Sequence, residues 1–168
     1  MNTLIKKFNE LKLFLNVKNM SGGYTPNASF NSCTNLIELN TENITTIVGG
    51  PGNAATTNSG PLYNTKVKLL NMPNLTTTES YGFKGLSSVK IIIGSKYTTI
   101  GGQYAIVNVN NSSIIINATT PPSGQTLRRN NNNNTFIYVP DEVLDNYKAA
   151  ASFANWVNYI KPKSQYSE

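Results

Sequence analysis

Apolar positions along the chain follow three different rhythms. Over residues 1–20, Leu4, Phe8, Leu11 and Leu15 recur at spacings of four, three and four, with Lys6, Lys7, Glu10 and Lys12 off the stripe. That spacing predicts an amphipathic helix over residues 1–22, ended by Gly22-Gly23. Such a helix is expected either to cap the segment that follows or to act as an oligomerisation or docking element through Leu4, Phe8, Leu11 and Leu15. From residue 23 to 122, short aliphatic runs alternate with turns rich in Gly, Asn, Pro and Thr, which predicts strands. From residue 123 to 168 an Asn-rich loop leads into the run FIYVP, a compact strand, and then DEVLDNYKAAASFANWVNYIKP, a helix. Asp141 is the expected N-cap, and Glu142 and Asp145 sit near the positive end of the helix dipole. Val143, Leu144, Tyr147 and Ala151 supply its apolar side, and Pro162 stops it.

The middle zone contains an internal repeat. A shift of 53 residues lays FNSCTNLIELNTENITTIVGG, from Phe30, on FKGLSSVKIIIGSKYTTIGGQ, from Phe83, without a gap. Two further copies are VKLLNMP and SSIIINATTPP. Leu36, Val67, Val89 and Ile114 then occupy one equivalent position, at steps of 31, 22 and 25 residues. The long first step carries an insertion at residues 48–62, rich in Gly, Pro and Asn. A unit in the low twenties lies in the range of leucine-rich repeats. One such unit cannot bury its own apolar face. Several stacked units can, with their strands pairing in a parallel ladder. The predicted fold class is therefore an α/β, β-rich repeat, a short solenoid with an N-terminal helix and a C-terminal capping helix. Phe30 and Phe83 are expected to fill the convex side of its core. Cys33 aligns with Leu86 and is expected to be a small buried hydrophobe. The outer face of the strands is the candidate binding surface, with Glu38, Asn40, Lys68, Asn71, Lys90 and Ile93 pointing outward.

These segments resemble the BspA-like leucine-rich repeats of bacterial surface proteins, Bacteroides especially, whose pattern resembles AF-x-x-C-x-x-L-x-x-I-x-I-P. SFNSCTNLIELN at residues 29–40 follows that pattern, and VKLLNMP at residues 67–73 reproduces its second half. NATTPP followed by FIYVPDEVLDNYKAAASFANWVNYIKP looks like the last repeat and cap of the family. The likeness covers roughly residues 24–162. It implies adhesion or protein recognition. A short version with no visible signal peptide further suggests a phage that has borrowed its host's recognition fold.

Composition narrows the chemistry. Charged residues make up 13% of the chain and hydrophobic ones 39%, so 26 Asn and 18 Thr carry much of its polarity. The net charge of +6 is scattered, with its clearest concentration at Lys6, Lys7, Lys12 and Lys18 and one Arg128-Arg129 pair, which argues against a nucleic-acid groove. No apolar stretch is long enough for a transmembrane helix. Leu13-Phe14-Leu15 is too short for a signal peptide. There is no histidine, no Cys cluster and no phosphate-loop Lys after the glycines at 49–52, so no cofactor or metal is expected. Glu38 and Glu42 are the remaining pair for glycosidase chemistry, a remote reading. Asn-x-Ser/Thr matches at Asn27, Asn43, Asn74, Asn110, Asn111, Asn117 and Asn133 arise from composition. The expected function is non-catalytic recognition of a protein or glycan at a cell or virion surface. The alternative is a structural virion component, a capsid decoration or tail protein, attached or oligomerised through its N-terminal helix.

Overall fold

The computed structural model describes residues 4–13, 15–22, 29–50, 60–129 and 133–167. Most of the insertion predicted at 48–62 therefore lies outside the described residues, as do Asn130 to Asn132 of the Asn run. Short strands follow one another along the chain, and all but the β11–β12 pair join in parallel with a strand of the next copy instead of a sequence neighbour. One five-stranded sheet contains β2 (Asn19–Ser21), β4 (Thr46–Val48), β6 (Thr77–Thr78), β8 (Thr99–Ile100) and β10 (Ser123–Gly124), in that spatial order. The other contains β5 (Leu69–Met72), β7 (Lys90–Ile93), β9 (Ser113–Ile116), β11 (Phe136–Val139) and β12 (Ile160–Pro162). A two-stranded piece pairs β1 (Lys7–Phe8) with β3 (Glu38–Leu39). The result is an α/β fold of parallel sheets with few helices, and among the described residues no sheet closes into a barrel.

The alternation of burial along the strands explains why these segments are strands. In β5 Leu70 and Met72 are buried while Leu69 and Asn71 are exposed; in β7 Ile91 and Ile93 are buried while Lys90 and Ile92 are half-buried. Parallel register then carries the inward positions from copy to copy as Leu70, Ile91, Ile114, Ile137 and Ile160. Each is at most 4% exposed, and burying one such side chain stabilises by roughly 1.5–3 kcal/mol. The second sheet repeats the device with Met20, Ile47, Thr78 and Ile100. Thr78 is the polar rung, and its hydroxyl is satisfied by the Tyr97 hydroxyl at 2.6 Å. Burial pushes the Tyr97 hydroxyl well above the usual tyrosine range.

The Asn content has a backbone cause. Ser88, Asn111 and Asn134 share an equivalent turn position with φ of 53°, 48° and 50°. Asn64, Gly85 and Asn108 share another, with φ of 58°, 76° and 56°. Asn tolerates this left-handed region better than other residues with a Cβ. The turns also bond to each other: Asn133 N–H donates to Asn110 Oδ1 at 2.9 Å, and Asn134 Nδ2 donates to Asn111 Oδ1 at 3.2 Å. The described end of the Asn run is thus a hydrogen-bonded turn.

Four expectations are corrected. The segment at 1–22 is no amphipathic helix where it is described. It runs as β1, a 3-10 turn at Glu10–Leu13, and β2. Its four apolar residues do not share a face, since Leu11 is buried, Phe8 is half-buried against the core, and Leu4 and Leu15 are exposed. Pairing to β3 and β4 satisfies backbone groups that a helix would have satisfied internally, and it buries Met20 as well.

Ile114 does not stand level with Val89, and the β5–β7 register sets Val67 one residue off it, level with Ser88. The β7–β9 register sets Ser112 opposite Val89, and Ile114 opposite Ile91. Ser112 fits because its hydroxyl accepts the Val89 N–H at 3.2 Å and donates to the Asn110 carbonyl at 2.6 Å.

Ile93 points inward and is 2% exposed; Ile92 is the outward residue.

The C-terminal helix is broken. A 3-10 turn at Asp141–Val143 leads into α1 (Leu144–Ala149), then a 3-10 stretch at Ala151–Tyr159, and β12 extends the sheet by one strand. The N-cap position of that turn falls on Pro140, not Asp141, whose carboxylate accepts the Ser164 N–H at 3.0 Å. Ala151 is exposed, and Tyr147, Phe153 and Trp156 take the core. Cys33 is buried with a raised pKa from desolvation, in keeping with a hydrophobe's role.

Candidate functional site

At the start of the strand face, β3 and the stretch from Lys68 through β5 leave a shallow groove of about 320 Å³. Glu38, Asn40, Lys68 and Asn71, four of the six residues expected to point outward, all line it. The floor is apolar, formed by Ile37 and Leu69 at 44% and 48% exposure. Two aliphatic side chains thus stay open to water inside a rim of two carboxylates, an ammonium and amides.

The rim is held by local bonds. Glu38 pairs with Lys7 at 2.7 Å and accepts from the Asn9 amide. Those two hydrogen bonds hold its carboxyl below the usual glutamate range. Asn40 Oδ1 accepts the Glu42 N–H at 3.0 Å, a turn bond that fixes the far wall. Thr41 reaches across to the next copy, donating its hydroxyl to the Asn71 carbonyl at 2.9 Å. Glu38 and Glu42 both line the groove, but the shift of Glu38 is opposite to that of a general acid, whose pKa must be raised.

The other two expected residues lie elsewhere. Lys90 is further along the face, its ammonium 4.8 Å from the centre of the Tyr166 ring, and Ile93 belongs to the core. Sequence reasoning paired Glu42 with Glu38 but missed Asn9, Ile37 and Leu69 as lining residues. Leu69 was within reach, because Leu70 and Met72 point inward and strand alternation turns Leu69 out. Asn9 was not, because it reaches the groove only through the pairing of β1 with β3.

Among the described residues, no group of three or more His, Cys, Asp or Glu side chains could hold a metal ion. No helix among them is long and apolar enough to cross a membrane. Comparisons with protein-family models, with curated proteins and with solved structures find no match to this chain, so its chemistry is read from these side chains.

Proposed function

We propose that the chain is a short leucine-rich-repeat solenoid, of the BspA-like kind its motifs resemble, and a non-catalytic recognition module at a cell or virion surface. The observation that carries the reading is the groove of β3 and β5, where Ile37 and Leu69 stay open to water between Glu38, Asn40, Lys68 and Asn71. Support for stacked units comes from the two parallel ladders, whose copies advance by 21 to 31 residues. The partner is a protein or glycan that covers an apolar floor and meets two carboxylates, Glu38 and Glu42, and one lysine, Lys68, at the rim.

The test is a screen of immobilised surface proteins and glycans with the full chain, repeated with Ile37→Ser/Leu69→Ser and with Lys68→Glu. A partner whose binding falls at least tenfold in both variants supports the reading. No partner, or one indifferent to both variants, overturns it.

A second reading, a structural virion component, is favoured by one separate observation: Leu4, Leu13 and Leu15 are 87%, 70% and 67% exposed in the first copy. Attachment through that segment predicts a concentration-dependent mass in sedimentation that Leu13→Ser/Leu15→Ser reduces to monomer.

A further inference from the structure

The turns that leave the second sheet carry a different chemistry from the strand face. After β10 the chain places Arg128 and Arg129 in a concavity of about 580 Å³ with Gln103, Thr126, Asn155 and Tyr159. None of these lining residues bears a carboxylate. The guanidinium of Arg129 lies 3.5 Å from the centre of the Tyr159 ring and 5.7 Å from that of Trp156. The guanidinium of Arg128 lies 5.4 Å from the Tyr104 ring, and its Nε donates to Gln103 Oε1 at 2.7 Å. Asn155 is itself tied down, donating to the Leu127 carbonyl at 3.0 Å.

We propose that this concavity is an anion site for an acidic glycan, with the guanidiniums of Arg128 and Arg129 receiving a carboxylate or sulfate of the sugar chain. Guanidiniums lying over aromatic rings are held in fixed planes, and a fixed plane presents its N–H fork to an oxyanion at low entropic cost. A net charge of +6 draws such a ligand in.

Two observations select a glycan over a nucleic-acid strand. Base stacking needs open aromatic faces, and here they are already taken. Tyr159 carries Arg129, Tyr104 carries Arg128 and stacks on Tyr81 with 5.4 Å between ring centres, and Trp156 is fully buried. What remains at the surface is amide, hydroxyl and guanidinium, groups that match hydroxyls and an oxyanion.

The concavity also shares Gln103 with a neighbouring depression lined by Gly49, Glu79, Ser80, Tyr81 and Tyr104. A ligand longer than one sugar can therefore run from one to the other. This site is separate from the β3–β5 groove and stands or falls independently of it.

The experiment measures binding of the full chain to oligogalacturonate (carboxylate), dextran sulfate (sulfate), dextran (neutral) and a ten-residue oligothymidylate. Binding of an acidic glycan, weakened by salt, with Arg128→Gln/Arg129→Gln lowering it about ten- to a hundredfold, is the expected result. Gln103→Ala is a second, milder variant, and thermal unfolding verifies that each variant folds. The first two probes separate carboxylate from sulfate as the anion. No binding to either acidic glycan, equal binding of dextran, tighter binding of the oligothymidylate, or arginine variants that bind as wild type would each overturn the proposal.

Discussion

The strand face divides into two halves built from the same repeat and solvated very differently. In the first half, around β3 and β5, outward residues such as Leu69 and Asn71 are exposed and a groove stays open. In the second half the outward residues Ile115 and Tyr138 are 4% and 8% exposed, although they occupy the same register. The C-terminal segment makes part of the difference. Tyr166 packs edge-on against Tyr138 at 5.1 Å and under the Lys90 ammonium. Lys163 donates to Asn117 Oδ1 at 2.7 Å, and the Ser164 N–H bonds to Asp141. The repeat thus sets which side chains face outward, and the segment that crosses them decides which remain available. Among the described strand-face residues, the large apolar side chains most open to water, Ile37 and Leu69, lie in the first half.

The largest expected effect removes what the halves share. Ile114→Ala deletes the central inward rung and should cost about 2–5 kcal/mol in denaturant unfolding, with one cooperative transition for both halves. A loss below about 1 kcal/mol would mean that Ile114 does not sit between Ile91 and Ile137. Next, Asn111→Ala strains a left-handed turn next to β9 and should cost about 1–2 kcal/mol, whereas Asn111→Gly should cost less. Equal losses for the two would show that φ is not what Asn supplies there.

Tyr166→Ala should have the smallest effect on stability, about 0.5–1.5 kcal/mol, and sharpen the contrast most. Burial, and secondarily the neighbouring Tyr166, hold the Tyr138 hydroxyl above the usual tyrosine range. A folded pKa raised in this way stabilises the fold fully below the unfolded value near 10, and the contribution is lost as pH rises past it. The variant should bring the Tyr138 titration, followed by NMR, back toward 10 and make the second half accessible. An unmoved titration would show that Tyr166 does not cover Tyr138.

The repeat was legible because Phe83, Val89 and the Thr-Thr-Ile triplets preserve their spacing, and spacing is what stacked copies need. The errors fall where spacing carries no phase. Ile91-Ile92-Ile93 and Ile114-Ile115-Ile116 offer no polar residue to mark the outward side, so Ile93 was turned out and Ile114 slipped by two positions. Ser112 hid its equivalence to Val89 because a hydroxyl bonded to backbone does the work of an aliphatic. The first copy read as a helix because Leu4, Phe8, Leu11 and Leu15 carry helical spacing, although Phe8 lies in a strand, Leu11 in a 3-10 turn, and Leu4 and Leu15 in neither. Of the groove, the polar rim was visible in the sequence. Leu69 of its floor follows from strand alternation, whereas the Asn9 wall depends on pairing across copies. The Arg128-Arg129 concavity was invisible because Gln103, Asn155 and Tyr159 come from distant segments.

The account turns on parallel copies stacking their inward residues in one column. Methyl–methyl NOEs in chain labelled at Ile, Leu and Val methyls test it directly. The Ile114 δ1 methyl should show cross-peaks to both Ile91 and Ile137, with Ile137 in turn reaching Ile160. Cross-peaks from Ile114 to Leu36 or Val67, with none to Ile91 and Ile137, would contradict it.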